Sequence, residues 1–211
     1  MAEKHIYFVR HGQSEYNVSP VTLPHDTALT PLGEAQAELC ASRCAMIDFD
    51  VIFSSSYGRA KMTAEAISRK TGKPVEIDDL LLEYRYPDAI IGLPKKGGPD
   101  HLEMLSGTET RYAGGELYDD LKIRAEKTLA LFESRNETSF VVVSHSFLLF
   151  AVLTSLIFGK EATFREFERL NCSMRLSNTG VTHCTFDPER KEGKKWKVVT
   201  WNDDAHLGEI K

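Results

Sequence analysis

A chain of 211 residues with 42% apolar and 27% charged side chains can bury a sizeable core, which excludes wholesale disorder and fibrous repeats. Its 26 basic and 31 acidic side chains give a formal net charge of −5, leaving no general footprint for nucleic acid or an anionic membrane. Any anion site must therefore be local.

The apolar run Ile6, Tyr7, Phe8 and Val9 makes Lys4–Arg10 a first strand, and a polar loop holding Pro20, Pro24 and Pro31 follows from Gly12 to Pro31. A helix is predicted over Leu32–Ala45, capped by Thr30, with Pro31 in its first turn and an apolar stripe of Leu32, Ala35, Leu39 and Met46. Val51–Ser54 reads as a strand, Tyr57–Thr71 as a helix closed by Gly72, and Pro74–Ile77 as a further strand. This alternation predicts an α/β fold, a three-layer αβα sandwich around a mainly parallel central sheet.

The alternation stops between Glu83 and Glu116, where glycines and prolines cluster. A plain connector is one reading of this stretch; an insertion at about 84–115 standing over a site as a lid is the sharper one. Leu117–Arg135 resumes a helix, Phe140–Val143 a strand and Phe147–Phe158 a helix. Gly180–Phe186 and Trp196–Trp201 read as an antiparallel pair joined by the turn-rich Asp187–Lys194. No repeat is present, and residues 1–211 are expected to form one domain.

Phe140–Phe158 contains no Asp, Glu, Lys or Arg and approaches the length of a membrane span. Its β-branched first part and the break at Ser144-His145-Ser146 favour a buried strand followed by a buried helix, so no membrane partner is expected. Cys40, Cys44, Cys172 and Cys184 follow a start without a long apolar leader, which points to the cytoplasm. Cys40 and Cys44 are four apart, but no second pair completes a zinc site; they read as packing residues, and no metal or cofactor is expected.

Four places carry chemistry. Arg10 and His11 lie just beyond the first strand, Ser54-Ser55 ends the second with Arg59 early in the next helix, Glu83 follows Leu80–Leu82, and His145 ends the strand Phe140–Val143. In an open parallel sheet the carboxyl ends of strands and the amino ends of helices share one edge, so two arginines, two histidines and a carboxylic acid can converge. Guanidinium groups clamp phosphate, histidine is a competent nucleophile at phosphorus, and a buried carboxyl kept protonated can protonate a departing alkoxide. Taken singly, each residue has a plainer reading as a surface ion pair, a solvated strand end or a loop cap. Lys95 and Lys96 read equally well as partners for an anionic substrate tail or as solvated side chains, and His183 reads as packing.

Arg10-His11-Gly12-Gln13-Ser14 with Asn17, Leu29–Ala37, Ser54-Ser55 with Arg59-Ala60 and Thr63-Ala64, Leu82-Glu83, and Val143-Ser144-His145 occur in an order that resembles the histidine phosphatase superfamily, the phosphoglycerate mutase-like branch 1. The resemblance covers nearly the whole chain except Tyr84–Gly115 and implies catalytic roles at matching positions. His11 is then the nucleophile that becomes phosphohistidine, with one ring nitrogen held by a backbone carbonyl of the adjacent loop. Arg10, Arg59 and His145 form the phosphate clamp, and Glu83 is the proton donor. Asn17, Ser14, Gln13 and Ser146 are expected in substrate binding, Ser14 equally as a loop-capping hydroxyl; Ser146 stands where many relatives have glycine.

The expected function is metal-independent hydrolysis of small phosphate monoesters, of the histidine acid phosphatase type. The alternatives are a cofactor-dependent phosphoglycerate mutase and a non-catalytic phosphate-binding or regulatory module. Classical mutases of this resemblance usually carry tryptophan before the asparagine of the first motif and Arg-x-Tyr-Gly after the acid. This chain has Tyr16 before Asn17, and Tyr84-Arg85-Tyr86-Pro87 after Glu83. Exposed edge strands would allow a homodimer.

Overall fold

Strands with apolar residues on both faces require cover on both faces, and the computed structural model, which describes residues 2–191 and 193–210, supplies it. The chain forms β1 (Lys4–Arg10), α1 (Glu15–Val18), α2 (Pro31–Cys44), β2 (Val51–Ser54), α3 (Gly58–Thr71) and β3 (Val75–Ile77). After 3-10 turns at Asp79–Leu81 and Asp88–Ile90 come α4 (His101–Ser106), α5 (Tyr118–Ser134), β4 (Ser139–Ser144), α6 (Ser146–Phe158) and α7 (Phe164–Ser173). β5 (Val181–Phe186), β6 (Trp196–Asp203) and a 3-10 turn at Ala205–Leu207 follow.

The six strands form one sheet in the order β3-β2-β4-β1-β5-β6. β3, β2, β4 and β1 run parallel, whereas β5 is antiparallel to β1 and to β6. Side chains alternate between faces along each strand. Ile6, Phe8, Phe140 and Val142 pack with residues of α5, α6 and α7, and Val9, Ile52, Val141 and Val143 pack with those of α2 and α3. The result is the three-layer αβα sandwich with a mostly parallel sheet. Lys4 ties two layers together, because its buried Nζ donates to the carbonyls of Phe132, Glu133 and Arg135 at the C-terminus of α5.

Thr30 caps α2 by accepting from Gly33 N, Pro31 opens the helix, and Gly72 closes α3 at φ 70°. The predicted stripe of α2 is corrected: Leu39 is 36% and Met46 74% exposed. The buried face is instead Gly33, Gln36, Ala37, Cys40, Ala41 and Cys44, a row of mostly small residues at helical spacing that packs with Ala60, Ala64 and Ile67 of α3. Three helices have no counterpart among the expected elements, one of them α4 within the Glu83–Glu116 stretch. The loop after β1 contains α1, capped at Ser14, and α7 begins at a capping box in which Thr163 N donates to Glu166 Oε2 at 2.9 Å. The turn expected over Asp187–Lys194 includes Glu192, which lies outside the described residues. Among the described residues, no helix is long and apolar enough to cross a membrane.

One close approach matters for what the fold positions. A Cβ on Gly33 would sit 1.9 Å from the Gln13 carbonyl oxygen, and one on Gly12 would sit 2.5 Å from the Gly33 carbonyl oxygen. The first turn of α2 therefore touches the loop after β1 backbone to backbone, which only glycine permits. Gly33→Ala is expected to lower stability by about 1–3 kcal/mol, read as a lower urea midpoint at unchanged slope. An unchanged midpoint would show that the two backbones are not held together in solution.

Candidate active site

Strand register brings the first chemical groups together. Arg10 pairs with Ser144 and Ser54 with Val143, so His11, Ser55 and His145 stand side by side one residue beyond the carboxyl ends of β1, β2 and β4. His11 N donates to Ser144 O at 3.0 Å, and Ser55 N donates to Val143 O at 3.1 Å. The rings of His11 and His145 lie 5.0 Å apart, and His145 Nε2 is 2.8 Å from Ser55 Oγ. Arg59 comes from the first turn of α3; its Nε donates to His11 Nε2 at 3.2 Å and its Nη1 to His25 O at 2.5 Å. Arg10 Nη1 donates to Leu176 O at 2.5 Å. Glu83 follows the first 3-10 turn, and its Oε1 accepts from Tyr84 N at 2.9 Å and from Phe147 N, in α6, at 3.0 Å.

These groups border a cavity of about 230 Å³. Arg10, His11, Asn17, Arg59, Glu83 and Ser146 form part of its wall; Tyr16, Tyr84, Tyr86, His101 and Phe147 form the rest.

Hydrogen bonding decides the tautomer of His11. Its Nδ1 lies 2.6 Å from the Gly12 carbonyl oxygen, which can only accept, so Nδ1 carries the proton and Nε2 the lone pair. The loop that supplies this carbonyl is held by Gly12 N donating to Thr63 Oγ1 at 3.1 Å and by Asn178 Nδ2 donating to His11 O at 2.9 Å. Thr179 N donates to Arg10 O at 2.8 Å from a buried residue at φ 57°, a left-handed conformation costly for a β-branched side chain.

Burial pushes the His11 pKa well below the usual histidine range, and Arg59 and Arg10 push it the same way; the Gly12 hydrogen bond acts in the opposite sense and is outweighed. Burial, followed by Arg59, His11 and Arg10, likewise holds His145 well below that range. Glu83 moves upward because burial outweighs the Tyr84 N–H and the charges of Arg59, Arg10 and Arg124. The site thus joins a neutral imidazole whose Nε2 lone pair accepts from Arg59 Nε, a carboxyl shifted toward its protonated form, and two cations. Among the described residues, Arg10 Nε and His145 Nδ1 are buried donors or acceptors without a hydrogen-bond partner. Such a set can bind an oxyanion, attack it and transfer a proton.

Arg10, His11, Arg59, Glu83, Asn17 and Ser146 line the cavity, whereas His145 is fully buried beside it, its ring 5.0 Å from that of His11. Asn17 Oδ1 accepts from Ser14 N at 2.9 Å and Ser14 Oγ at 3.0 Å, which leaves its Nδ2 as the group available to a ligand. Ser14 and Gln13 are placed elsewhere. Ser14 is fully buried as the cap of α1, and Gln13 is tied to α2, its N donating to Gln36 Oε1 and its Oε1 accepting from Thr30 Oγ1, both at 2.8 Å. Lys95 donates its Nζ to Tyr16 O and lies 3.9 Å from the Tyr16 ring centre, and neither it nor Lys96 lines the cavity.

Cys40 and Cys44 are buried with their Sγ atoms 4.0 Å apart. Among the described residues, no group of three or more His, Cys, Asp or Glu side chains is placed to hold a metal ion.

Sequence reasoning did not identify the aromatic wall or the support behind Glu83. Arg124, from α5, donates to the carbonyls of Leu80 (3.2 Å), Leu82 and Glu83 (3.2 Å) and forms a paired contact with Glu116, Nε to Oε1 at 2.9 Å and Nη2 to Oε2 at 2.7 Å. Glu116 in turn accepts from Arg85 N at 3.2 Å and donates its own N to Arg85 O at 2.7 Å. This clip grips the backbone on both sides of Glu83. A glutamate eight residues before an arginine offers no helical signature, so only the fold reveals it.

A family model described as Histidine phosphatase superfamily (branch 1) matches residues 6–204. The chain is 28% identical to a Salmonella typhi protein named probable phosphoglycerate mutase GpmB, over 96% of this chain and 94% of that one. A solved structure named mycobacterial hydrolase 2 is 26% identical with a TM-score of 0.75, covering 96% of this chain and 92% of that one. The mycobacterial glucosyl-3-phosphoglycerate phosphatase in complex with VO3 is 25% identical with a TM-score of 0.74, covering 95% and 99%.

Glu116 is 1% and Arg124 11% exposed at the side chain, so removing Arg124 leaves the buried carboxylate with the more distant, exposed Arg85, Nη2 to Oε1 at 3.9 Å, as its counter-charge. Arg124→Met is expected to cost about 3–5 kcal/mol of stability, measured by urea unfolding. A loss below about 1 kcal/mol would place the pair with surface ion pairs instead.

Proposed function

The chain belongs to the histidine phosphatase superfamily, branch 1, and from that premise we propose that it is a metal-independent phosphatase that hydrolyses small phosphate monoesters through a phosphohistidine on His11. The observation that carries this reading is the fixed tautomer of His11, whose Nε2 lone pair faces Arg59 beside Arg10. The phosphoryl oxygens take hydrogen bonds from Arg10, Arg59, His145 Nδ1 and Asn17 Nδ2. His11 Nε2 attacks phosphorus in line while the P–O ester bond breaks, and the leaving alkoxide takes the proton of Glu83. The Glu83 carboxylate then takes a proton from water as that water attacks phosphorus and the P–N bond breaks. Inorganic phosphate leaves, and Glu83 is again protonated. The two guanidinium groups supply the charge stabilisation that phosphoryl transfer requires.

Mutase activity is the second reading, and the likeness to the Salmonella protein favours it. Hydrolysis is preferred because Tyr84 and Pro87 depart from the Arg-x-Tyr-Gly stretch that the mutase resemblance implies, although Tyr86 keeps its tyrosine, and because the departing Tyr84 lines the cavity.

Release of inorganic phosphate from p-nitrophenyl phosphate with chelator present is expected to continue in the wild type and to fall at least about 10³-fold in His11→Ala. Isomerisation of 3-phosphoglycerate dependent on a bisphosphate primer, with little hydrolysis, would favour the mutase instead.

The two pKa directions fix the shape of the pH profile. His11 must be unprotonated, and its lowered pKa keeps it so into acid; Glu83 must be protonated, and its raised pKa extends that form upward from the carboxylate range. The expected kcat/KM is therefore a bell with an acidic maximum, falling on the alkaline side as Glu83 ionises. Glu83→Gln should lower kcat about 10²- to 10⁴-fold for an alkyl ester and abolish that alkaline limb; a limb that survives would assign the acid to another group.

A further inference from the structure

Resting on the phosphatase reading, we infer that the aromatic side of the cavity is a slot for an uncharged, flat or apolar alcohol. The preferred substrates are then phosphate monoesters of compact neutral alcohols carrying a ring or an equivalent apolar group.

The slot is built of rings that hold one another. Tyr84 stacks on Phe147 with centres 5.4 Å apart, Tyr16 stacks on Tyr86 at 5.8 Å, and Tyr86 meets His101 edge to face at 5.3 Å. Two of the three tyrosine hydroxyls are engaged by a ring nitrogen or the backbone, while that of Tyr84 is buried without a hydrogen-bond partner. Tyr86 OH donates to Leu23 O at 2.5 Å, and Tyr16 OH lies 3.2 Å from His101 Nε2. A ligand entering this side meets ring surfaces braced in place, which favour apolar contact and stacking.

Charge points the same way. Among the described residues lining the cavity, the arginines are Arg10 and Arg59, both beside His11, and no lysine lines it. His101 is held below the usual histidine range, chiefly by burial. The ammonium of Lys95 is engaged by the Tyr16 carbonyl and lies outside the cavity lining. A second anionic group on the substrate, such as a carboxylate or another phosphate, would lose water against electron-rich ring faces with no cation to receive it. A cavity of about 230 Å³ is also smaller than the roughly 300–1,000 Å³ that accommodates drug-sized ligands, which favours compact esters.

The test compares three esters whose leaving groups are all alkoxides: benzyl phosphate, glycerol 3-phosphate and 3-phosphoglycerate, each followed by release of inorganic phosphate. Benzyl phosphate is expected to exceed glycerol 3-phosphate in kcat/KM by about ten- to hundredfold, the gain from burying a phenyl ring, with 3-phosphoglycerate slowest. Phe147→Ala should shrink the benzyl-to-glycerol ratio by about tenfold. Calorimetry should find benzylphosphonate bound more tightly than phosphonoacetate, a readout that needs no turnover. Preference for 3-phosphoglycerate, hydrolysed in a His11-dependent way, would overturn the slot and leave the phosphatase reading intact. No hydrolysis of any ester, with benzylphosphonate still the tighter ligand, would overturn the phosphatase reading and keep the slot.

Discussion

The contact between the Gly12 carbonyl and His11 Nδ1, at 2.6 Å, is the one on which the rest of the site depends. It decides which ring nitrogen holds the proton, and so which one presents a lone pair to a ligand. A carbonyl can hold that post only if its loop is itself immobile. The backbone contact between Gly12 and Gly33, the Thr63 hydroxyl beneath Gly12 N, and the Asn178 amide on His11 O all press on the same few atoms. Thr179 at φ 57° belongs to this set, a strained residue kept in place because its N–H holds the end of β1 at Arg10.

Electrostatics then divides the labour among groups that lie close together. Burial, reinforced by the two arginines beside it, keeps the His11 imidazole neutral, which preserves its lone pair in acid. The same arginines would drive Glu83 to ionise, yet burial of its carboxyl wins. Opposite shifts of a base and an acid in one cavity are the pattern expected where a proton and a phosphoryl group move in concert. Glu83 holds its place through a chain of contacts that leads to α5, since Arg124 and Glu116 grip the backbone before and after it. Sandwich and site are linked through that clip, because α5 is also the helix whose far end is tied to β1 by Lys4.

Much of this was legible in the chain itself. Strand ends, caps and breakers act locally, so Thr30, Pro31 and Gly72 mark α2 and α3 well, and β1 and β2 fall where the apolar runs place them. The chemistry gathered at strand ends was also readable, because a parallel sheet has one carboxyl edge. The face of α2 was not. Hydropathy favours Leu39 and Met46, but close packing against α3 selects Ala37, Cys40 and Ala41 by size. The start of α7 is marked in the sequence by the capping box of Thr163 and Glu166. Ser14 and Gln13 sit beside His11 in sequence, yet the turn after β1 directs them to α1 and α2. The aromatic wall comes from a stretch without periodicity, so His101 and Tyr86 become neighbours only through the fold.

The central claim is that His11 attacks through Nε2 because Gly12 holds Nδ1. The direct measurement is to quench turnover of a rapidly hydrolysed monoester in alkali, where phosphohistidine persists, and to locate the phosphoryl group by mass spectrometry and ³¹P NMR. The account predicts a transient phosphoryl group on Nε2 of His11, formed with the burst of alcohol and lost as inorganic phosphate appears. Phosphate carried on Nδ1, or on any residue other than His11, would contradict it.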